Sequence, residues 1–521
     1  MLKSPTYSSQ FISRLAHYAH NLSGEQGRAV AAWSGKEIAS FPTACANDIP
    51  PLVVKARAAQ KEWISMSASR RALVFRRFAT LAWRHRDKLI VLSQILSGAS
   101  RIDALDETIE VGNAASAVAN LSKRVMGKQR RPSILPIASS VHAENIPVGV
   151  VAFFTLGDFP ISYASMDLLQ PFAAGNAVIQ YAPSQAVLGS YAMRELAIAA
   201  GMPKDLWQIL PGNTIDTGVE CLDLVDHVAY IGNTADGENI AKRASELFIG
   251  SSLFLSHKNV AVVAHDADID NAVRCLARSV FIHGGASSNN IERIWVHRSI
   301  YRDFLKAFRR HIYNHVRIGK SFDHTATLGS TYSQFRFDRC RAHVQDALDL
   351  GAKVVTGAKA RPDLGPWFYE PTVLTSVSRD ALMWSEETYG PVTNVEPYDS
   401  LDEPCQDLTS SQYAHLLTMY THSQDVIDAL SSSSSAGLIA INDSFIYLWA
   451  NKHSSISSNR DTGNGIRFGE EGLLQYTYPR SVNYQRFGNL EPCDSLPPKR
   501  YETLATLLLN FTFIRRLFGL M

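Results

Sequence analysis

The chain has 521 residues, which is long enough for two or three domains that each bury a core. Its composition, 46% hydrophobic and 19% charged, is typical of a globular protein. The 51 Lys and Arg residues nearly balance the 49 Asp and Glu residues. This balance argues against the concentrated basic surface that nucleic-acid binding requires, and we expect no nucleic-acid partner.

The N-terminal segment lacks the uninterrupted apolar run of a secretory signal, although its Arg and Ser content without acidic residues permits a transit peptide. The six cysteines show no CxxC pair and no short spacing to histidine: Cys45, Cys221, Cys275, Cys340, Cys405 and Cys493. This scatter disfavours a metal site or a disulfide framework. We therefore expect reduced thiols and a cytoplasmic location.

From Pro51 to about Gly98, apolar residues recur at helical spacing, which predicts two helices packed on one face. Five β-rich runs follow, with helix-length stretches between the first four: Val148 to Thr155, Ala177 to Tyr181, Trp207 to Leu210, His227 to Ile231 and Asn259 to Ala264. Each run is apolar throughout, which indicates a parallel sheet buried on both faces of a doubly wound α/β domain. The ligand of such a domain lies at the carboxyl ends of the strands.

A second α/β unit is predicted from near Leu253 to about Asp425. Its helices are expected at Asp268 to Phe281, Ile300 to Val316 and Phe335 to Leu350, with Gly351 as the C-cap of the third. Two β-prone segments, Arg130 to Ile146 and Leu473 to Tyr484, flank these units. They could form a protruding strand pair used in dimerisation.

The last stretch, Tyr501 to Met521, places apolar residues on one predicted helical stripe: Leu504, Leu507, Leu508, Phe511, Ile514, Leu517, Phe518 and Met521. It is too short and too interrupted to span a bilayer. Two interpretations stay open. The helix docks on its own protein or a partner subunit, or it lies in the membrane plane and gives peripheral contact through residues 501–521.

Glycines stand between a predicted strand and the start of a helix in the segment Gly232-Asn233-Thr234-Ala235-Asp236-Gly237. Such a segment binds phosphate or only turns the chain. Six further motifs occur along the chain: Pro147-Val148-Gly149-Val150-Val151, Ala173-Ala174-Gly175-Asn176, Asp266-Ala267-Asp268-Ile269-Asp270, Glu386-Glu387-Thr388-Tyr389-Gly390-Pro391-Val392, Ile441-Asn442-Asp443 and Gly469-Glu470-Glu471-Gly472-Leu473-Leu474. In this order and spacing, the set resembles the aldehyde dehydrogenase superfamily over roughly residues 34–482.

The resemblance implies an aldehyde dehydrogenase fold: a doubly wound nucleotide-binding domain, an α/β catalytic domain and a small β oligomerisation arm. The corresponding ranges are 1–128 and 147–252 for dinucleotide binding, 253–425 for the catalytic domain, 426–472 for a return to the first domain, 129–146 and 473–489 for the arm, and 490–521 for an amphipathic tail. It also implies a homodimer or tetramer that acts on a small carbonyl compound.

In that family a cysteine thiolate attacks the aldehyde, NAD(P)+ takes the hydride and a glutamate activates water, while an asparagine helps to stabilise the oxyanion. By motif position, Ser288 stands where the resemblance expects the cysteine, and Phe254 stands where it expects the glutamate. Asp158 replaces the asparagine, and a carboxylate there would repel an oxyanion unless it were protonated. We therefore doubt thiol-based oxidation.

The resemblance also suggests dinucleotide contacts at Thr155, Tyr181, Gly232, Asn233, Gly237, Glu387 and Tyr389. Tyr181 stands where the family has the lysine that holds the adenosine ribose. The loss of one charge-assisted hydrogen bond costs about 1.5 to 3 kcal/mol. Binding of NAD or NADP is therefore expected to be weak.

Two histidines, His257 and His283, are expected near the same pocket, and histidine suits proton transfer near neutral pH. With Asp158 and Ser288 they favour a first hypothesis: a repurposed enzyme that performs non-redox acid–base chemistry on a carbonyl compound. Ser288 taken alone fits a small space-filling residue better than a nucleophile, because no family base survives beside it. The second hypothesis is a non-catalytic partner or scaffold. The third is residual NAD(P)-dependent aldehyde oxidation with Ser288 in place of cysteine.

Overall fold

The computed structural model describes residues 9–133, 138–444, 452–486 and 496–517. The helices in these ranges are α1 Ser9–Ala16, α2 Ile49–Ser65, α3 Ala68–Arg84, α4 Arg86–Ser97, α5 Arg101–Val125, α6 Leu169–Ala174, α7 Val187–Ala200, α8 Asp216–Val219, α9 Thr234–Glu246, α10 Ile269–Phe281, α11 Arg298–His315, α12 Gln334–Asp349, α13 Leu382–Ser385, α14 Asp402–Ser410, α15 Gln424–Ser433, α16 Gly469–Leu474 and α17 Pro498–Leu517. The strands are β1 Gln26–Ala31, β2 Lys36–Pro42, β3 Gln129–Arg131, β4 Ser139–Pro147, β5 Val150–Phe154, β6 Ala177–Pro183, β7 Trp207–Gly212, β8 His227–Ile231, β9 Gly250–Phe254, β10 Asn259–Val263, β11 Ile291–His297, β12 Lys353–Thr356, β13 Thr372–Thr375, β14 Val392–Tyr398, β15 Leu416–Tyr420, β16 Leu438–Ile441, β17 Ile456–Ser457, β18 Ile466–Arg467 and β19 Thr477–Gln485.

A five-stranded parallel sheet with the order β7-β6-β5-β8-β9 confirms the first four predicted strands and the predicted α/β class. Its central strands are apolar because helices cover both faces, and β5 and β8 are buried along their full length. From β5, the chain first adds β6 and β7 on one side of the strand. It then returns and adds β8 and β9 on the other side, so the strand order reverses between β5 and β8. The crevice for a ligand therefore lies outside the carboxyl ends of β5 and β8.

A seven-stranded sheet has the order β12-β13-β14-β11-β10-β15-β16, and every neighbouring pair except β12 and β13 is parallel. The fifth predicted run, which the sequence analysis grouped with the first four, forms β10 at the centre of this sheet. That grouping was wrong because an apolar run carries no information about which sheet buries it. The strand that completes the first sheet is β9, Gly250–Phe254.

The helical layer over the first sheet has three helices, α2, α3 and α4, where the sequence predicted two. The break between the first two comes at Ser67, whose side chain accepts a hydrogen bond from the backbone N–H of Arg70 and so begins α3. Trp63 near the end of α2 is fully buried and donates its indole N–H to the carbonyl of Phe172 at 2.7 Å. The three helices predicted in the second unit are confirmed as α10, α11 and α12, and Gly351 after α12 has the positive φ of 96° that a C-capping glycine adopts.

The two β-prone flanking segments pair in an antiparallel sheet with the order β19-β4-β3. Leu473 and Leu474 belong to α16 and not to the strand, because the Gly469–Leu474 segment forms a helical turn first. Residues 134–137 and 487–489 of the predicted arm lie outside the described residues. The role of this sheet in oligomerisation stays a prediction.

The tail forms α17, and the described part of its apolar surface extends beyond the predicted stripe. Leu507 and Leu509 are 63% and 69% exposed, and residues two positions apart lie about 200° apart around a helix. The predicted stripe therefore omitted Leu509 and Phe513, while Phe518 and Met521 lie outside the described residues. Among the described helices, none has both the length and the apolar character needed to cross a membrane.

Candidate active site

The site lies where the carboxyl edge of the five-stranded sheet meets the amino edge of the seven-stranded sheet. The first edge contributes the residues that follow β5 and β8, including Asp158 and Gly232. The second contributes the residues that precede β10, β11 and β15, which are adjacent parallel strands. His257, Ser288 and His415 each stand at most three residues before one of these strands, so the sheet brings them to one edge.

Three connected spaces lie at this junction. The outer groove has a volume of about 560 Å³ and is lined by Leu156, Gly157, Asp158, Pro183, Asn233, Ala235, Ser256, Tyr332, Ser333, Phe335, Arg336, Arg339 and Tyr389. The inner cavity is lined by Leu156, Tyr163, Ile231, Gly232, Phe254, Leu255, His257, Ala286, Ser288, Arg336, Glu387, Tyr389, His415, Ser458, Thr462 and Arg467. The distal cavity is lined by Asp106, Glu110, Phe159, Tyr163, Met166, Ile282, His283, Ser287, Ser288, Asn289, His415, Lys452, Ile456, Arg467 and Phe468.

Ser288 is one of four residues that line both the inner and the distal cavities; the others are Tyr163, His415 and Arg467. These two cavities have volumes of only about 40 and 30 Å³, room for a few water molecules each. The serine therefore lies at a narrow wall between a space that opens to the outer groove and a space that is lined by charged groups.

The loop before Ser288 is held by an unusual backbone and by Asn259. His283, Gly284 and Gly285 have positive φ angles of 49°, 64° and 79° in succession. A Cβ at Gly285 would overlap the backbone of Gly390, so only glycine allows these two loops to approach so closely. The Asn259 side chain donates to the backbone carbonyl of Ser288 at 2.8 Å. The position of Ser288 is thus fixed by its own loop, by β10 and by the loop of Glu387.

The Ser288 hydroxyl accepts a hydrogen bond from the Tyr163 hydroxyl at 3.1 Å. The Tyr163 ring is held by Phe159, whose centroid is 4.4 Å away, and by the Arg467 guanidinium at 5.1 Å. Burial raises the pKa of Tyr163 above its ordinary value, although Arg467 acts in the opposite direction. Tyr163 consequently stays protonated and acts as a hydrogen-bond donor beside the serine.

His257 is engaged on both sides. Its Nδ1 lies 3.1 Å from Glu387 Oε1, its backbone N–H donates to Glu387 Oε2 at 3.2 Å, and its ring is hydrogen-bonded to the backbone of Ser287. Burial lowers the pKa of His257 to about 4, and burial raises that of Glu387 to about 7. This neutral imidazole joins the Glu387 loop to the Ser288 loop.

His283 lines only the distal cavity. It stacks on Phe159 with ring centroids 4.4 Å apart, and it is hydrogen-bonded to the backbone of Asp103. Burial lowers the pKa of His283, and its Nδ1 has no hydrogen-bond partner among the described residues. The structure therefore places one of the two predicted histidines in each cavity.

Asp158 lines the outer groove and neither of the two cavities that Ser288 lines, and it forms a buried ion pair with Arg336. The Arg336 guanidinium lies 4.0 Å from the centroid of the Tyr389 ring, whose hydroxyl meets that of Ser256 at 3.0 Å. The Arg336 pKa is raised by Asp158 despite the opposing effect of burial. Arg336 Nη1 and Asp158 Oδ1 have no further partners among the described residues. This pair is a charged wall of the groove with unused hydrogen-bonding capacity.

The remaining predicted cofactor residues divide into two groups. Gly232 lines the inner cavity, and Asn233 lines the outer groove and caps α9 by accepting from the backbone N–H of Asp236. Thr155 is buried and hydrogen-bonds to the Tyr181 carbonyl, while the Tyr181 hydroxyl donates to the Thr214 carbonyl. Gly237 packs against Leu255. Thr155, Tyr181 and Gly237 thus support the groove from behind and do not line it.

The described cysteines are all free thiols: Cys45, Cys221, Cys275, Cys340 and Cys405. None of these five lines the inner or the distal cavity. Cys275, on α10, has its sulfur 3.7 Å from the Asn271 side chain. Cys493 lies outside the described residues. Among the described residues, no group of three or more His, Cys, Asp or Glu side chains is placed to hold a metal ion.

Comparison with known proteins identifies the class. The aldehyde dehydrogenase family model matches residues 20–482, and the chain belongs to this family. A protein of Mycobacterium ulcerans (strain Agy99), named "Putative succinate-semialdehyde dehydrogenase (NADP+) 2", is 29% identical over 470 residues, which cover 90% of each chain. The protein of the same name from Mycobacterium tuberculosis (strain ATCC 25618 / H37Rv) is 30% identical over 465 residues and covers 89% of this chain and 90% of its own.

Solved structures agree in fold. A succinate-semialdehyde dehydrogenase from Burkholderia pseudomallei superposes with a TM-score of 0.84 at 23% identity, covering 89% of this chain and 95% of its own. A 3,6-anhydro-L-galactose dehydrogenase in complex with NAP gives a TM-score of 0.82 at 25% identity and covers 88% and 96% of the two chains. The predicted fold class is confirmed.

The first hypothesis of the sequence analysis, non-redox acid–base chemistry, is wrong. The names of the mycobacterial relatives record NADP+-dependent oxidation of an aldehyde, which agrees with the third hypothesis. The contacts give a physical reason as well: Asp158 is paired with Arg336 in another space, and His257 is bound by Glu387 and Ser287. The expected acid–base group is therefore not assembled around one ligand position.

Sequence reasoning missed Tyr163, His415, Arg336, Arg467 and Lys452. His415 directly precedes the apolar run of β15, and a polar residue before a buried parallel strand is a signal that could have been followed. Arg336 stands three residues after Ser333, whose side chain accepts from its backbone N–H and caps α12. Tyr163 and Arg467 carry no such signal because their approach to Ser288 depends on tertiary packing.

Proposed function

We propose that this protein oxidises an aldehyde to a carboxylic acid with NAD+ or NADP+ as the hydride acceptor. The observation that carries the proposal is the position of Ser288, at the wall shared by the inner cavity and the distal cavity. A hydroxyl at that wall can meet an aldehyde from one side while a hydride acceptor approaches from the other. The names of the relatives support the same reaction.

The outer groove suits a dinucleotide. It lies at the carboxyl ends of β5 and β8, where doubly wound domains bind such ligands, and Arg336 presents a buried guanidinium nitrogen that has no partner within the described part of the chain. Arg336 and Arg339 would receive phosphate oxygens, and Glu387 would receive ribose hydroxyls. When bound, the dinucleotide supplies a hydride acceptor. The expectation that NAD or NADP binds weakly stays a prediction. Tyr181 supplies no positive charge where the family has a lysine, whereas Arg336 adds a positive charge to the groove.

Ser288 and Tyr163 would perform the covalent chemistry. The Ser288 oxygen bonds to the aldehyde carbon, and the π electrons of the carbonyl group move to the carbonyl oxygen of the aldehyde. Tyr163 lies within hydrogen-bond distance of Ser288 and would donate to that developing alkoxide, the role that the family gives to an asparagine. Loss of hydride then leaves an ester of Ser288, which water hydrolyses to the acid.

The substrate is proposed to be a short aldehyde with an acidic far end. The distal cavity contains Arg467 and Lys452, each already paired with a carboxylate: Arg467 with Asp167 at 2.8 Å and Lys452 with Glu110 at 3.2 Å. A carboxylate-bearing substrate would join these ion pairs as a second anion. The small volume beside Ser288 disfavours aromatic aldehydes.

The test is an assay for reduced nicotinamide with NAD+ and with NADP+. Succinic semialdehyde and butanal are suitable probes because they share a four-carbon chain and differ in the terminal carboxylate. We expect reduction with succinic semialdehyde and slower reduction with butanal. Failure of both aldehydes with both dinucleotides would leave the non-catalytic hypothesis in its place.

Replacing Ser288 by cysteine sharpens the test. A thiol is a few per cent ionised at neutral pH, whereas a hydroxyl needs a base. Ser288→Cys should therefore oxidise the aldehyde faster than the natural chain, and Ser287→Cys, one residue away, should not.

We also propose that the protein is a homo-oligomer that associates through the sheet β19-β4-β3. Strand β19 spans nine residues, Thr477–Gln485, and most of its side chains are exposed. Sedimentation of the natural chain and of a chain with prolines at Tyr478 and Arg480 would test this, because proline interrupts strand hydrogen bonds.

A further inference from the structure

A serine nucleophile needs a partner that removes its proton, and the groups next to Ser288 are mostly unable to do so. Tyr163 donates to the serine and is protonated, while Arg467 is a cation bound by two hydrogen bonds to Asp167. Glu387 is occupied by His257. Phe254, which stands where the family has its base, is a hydrocarbon ring in the wall of the inner cavity.

Once these groups are excluded, one side chain that can accept a proton remains among the residues that line both the inner and the distal cavity. His415 lines the inner and the distal cavity together with Ser288, it is 8% exposed, and its Nε2 has no hydrogen-bond partner among the described residues. It precedes β15, the strand that pairs with β10, and its ring centroid lies 5.8 Å from that of His257. His257 is hydrogen-bonded to the backbone of Ser287, which places His415 close to the Ser288 loop.

We propose that His415 is the general base that activates Ser288. The proposal rests on the aldehyde oxidation proposed above and names the group that serves it. The proton of the Ser288 hydroxyl passes to Nε2 of His415 as the bond from the serine oxygen to the aldehyde carbon forms. The carbonyl oxygen becomes an alkoxide that accepts from Tyr163.

The second half of the reaction uses the same group. After hydride loss and release of the first proton to solvent, His415 takes a proton from the water that attacks the ester carbon. The bond between the serine oxygen and that carbon breaks, and the proton returns to Ser288. In total, aldehyde, water and oxidised dinucleotide give acid, reduced dinucleotide and one proton. The water-activating role of the family glutamate thus falls to a histidine on another strand.

His415 is neutral in this setting. Burial lowers its pKa well below the ordinary value for histidine, and the neighbouring His257 and Arg467 act in the same direction. A neutral imidazole has a lone pair to accept the proton, and the lowered pKa also makes it a weaker base than an ordinary histidine. Proton transfer to a positioned base contributes about 10² to 10⁴-fold to a rate.

The experiment uses a short-chain alkyl fluorophosphonate, which requires no dinucleotide. In the labelling step the serine oxygen bonds to phosphorus, fluoride leaves, and the serine proton goes to the base. We expect mass spectrometry to find the label on Ser288 of the full chain. His415→Gln should slow labelling by at least about 10²-fold. The matched control is His227→Gln, since His227 is also buried and is hydrogen-bonded to Ser252 at the far end of β8.

Three results would overturn the proposal: no label on Ser288 in the natural chain, unchanged labelling in His415→Gln, or loss of labelling in His283→Gln but not in His415→Gln. If His415→Gln does not fold, His415→Ala with added imidazole replaces it, and imidazole should restore labelling. The two proposals fail separately. Labelling that depends on His415 without any reduced nicotinamide would reject only aldehyde oxidation, and reduced nicotinamide without such labelling would reject only His415.

Discussion

The two sheet edges that form the site differ in how completely their polar groups are used. At the carboxyl edge of the five-stranded sheet, the outer groove is spacious, and Arg336 and Asp158 each have one side-chain atom with no hydrogen-bond partner in the ranges that the structure describes. At the amino edge of the seven-stranded sheet, the cavities are narrow, His257 is bound to Glu387, and Ser288 is bound to Tyr163, which follows β5 of the other sheet. The first edge is built to receive a large ligand, and the second holds a fixed arrangement of reacting groups.

The largest expected effect comes from the second edge. Ser288→Ala removes the proposed nucleophile and should lower turnover by at least about 10³-fold. Dinucleotide affinity, measured by titration of tryptophan fluorescence, should stay within about twofold because the groove lies on the other edge. Ser287→Ala is the control. Equal turnover in Ser288→Ala and the natural chain would show that the serine only fills space.

At the first edge, Arg336→Gln leaves the Asp158 carboxylate buried without a cation. Loss of one partner of a buried ion pair costs about 3 to 5 kcal/mol, which chemical denaturation would detect. The double variant with Asp158→Asn should recover most of this loss. Arg339→Gln breaks a more exposed pair with Glu386 and should cost less than about 1 kcal/mol. A similar cost for both arginines would contradict the distinction between them.

The pH dependence of dinucleotide binding tests the point where the edges meet. Burial raises the pKa of Glu387 to about 7, so the carboxyl is mainly protonated at pH 6 and mainly ionised at pH 8. An ionised carboxylate accepts ribose hydroxyls more strongly, and affinity should rise by up to about tenfold between these pH values. Titrations of Glu387→Gln should show a flat profile. A natural chain whose affinity falls as pH rises would remove Glu387 from the ribose site.

The smallest effect is expected away from both edges. The described side chains of α17 are mostly exposed, so a chain that ends at residue 497 should lose less than about 0.5 kcal/mol of unfolding free energy. Denaturation of the two chains would measure this. A larger loss would show that the tail docks on the protein, which is the first of its two interpretations. Binding of the full chain, but not the shortened one, to anionic vesicles would support the second.

The order of the motifs in the sequence was sufficient to predict the fold. It was also sufficient to predict that Ser288, Gly232 and Glu387 lie near one another, because these residues stand in short segments whose spacing is set by strand ends. It was insufficient for His415 and Tyr163. Their relation to Ser288 depends on β15 lying beside β10 and on the direction of a side chain after β5, and neither is encoded locally. Asp158 lies beside the outer groove, but its ion pair with Arg336, which joins residues 178 positions apart, was not predicted. The motif of a charged residue thus predicts where the residue lies in the fold more securely than it predicts its ion-pair partner.

The contact between Gly285 and Gly390 has a mechanical consequence. With no side chain on either residue, the backbone that leads to Ser288 rests directly on the backbone that follows Glu387. Neither loop has room to shift independently, so a ribose that draws Glu387 toward the groove would also move the serine. Ligand binding in the groove would then be transmitted to Ser288 through this backbone contact. An alanine at Gly285 would push the two loops apart, whereas an alanine at Gly390 would meet the Cys340 side chain.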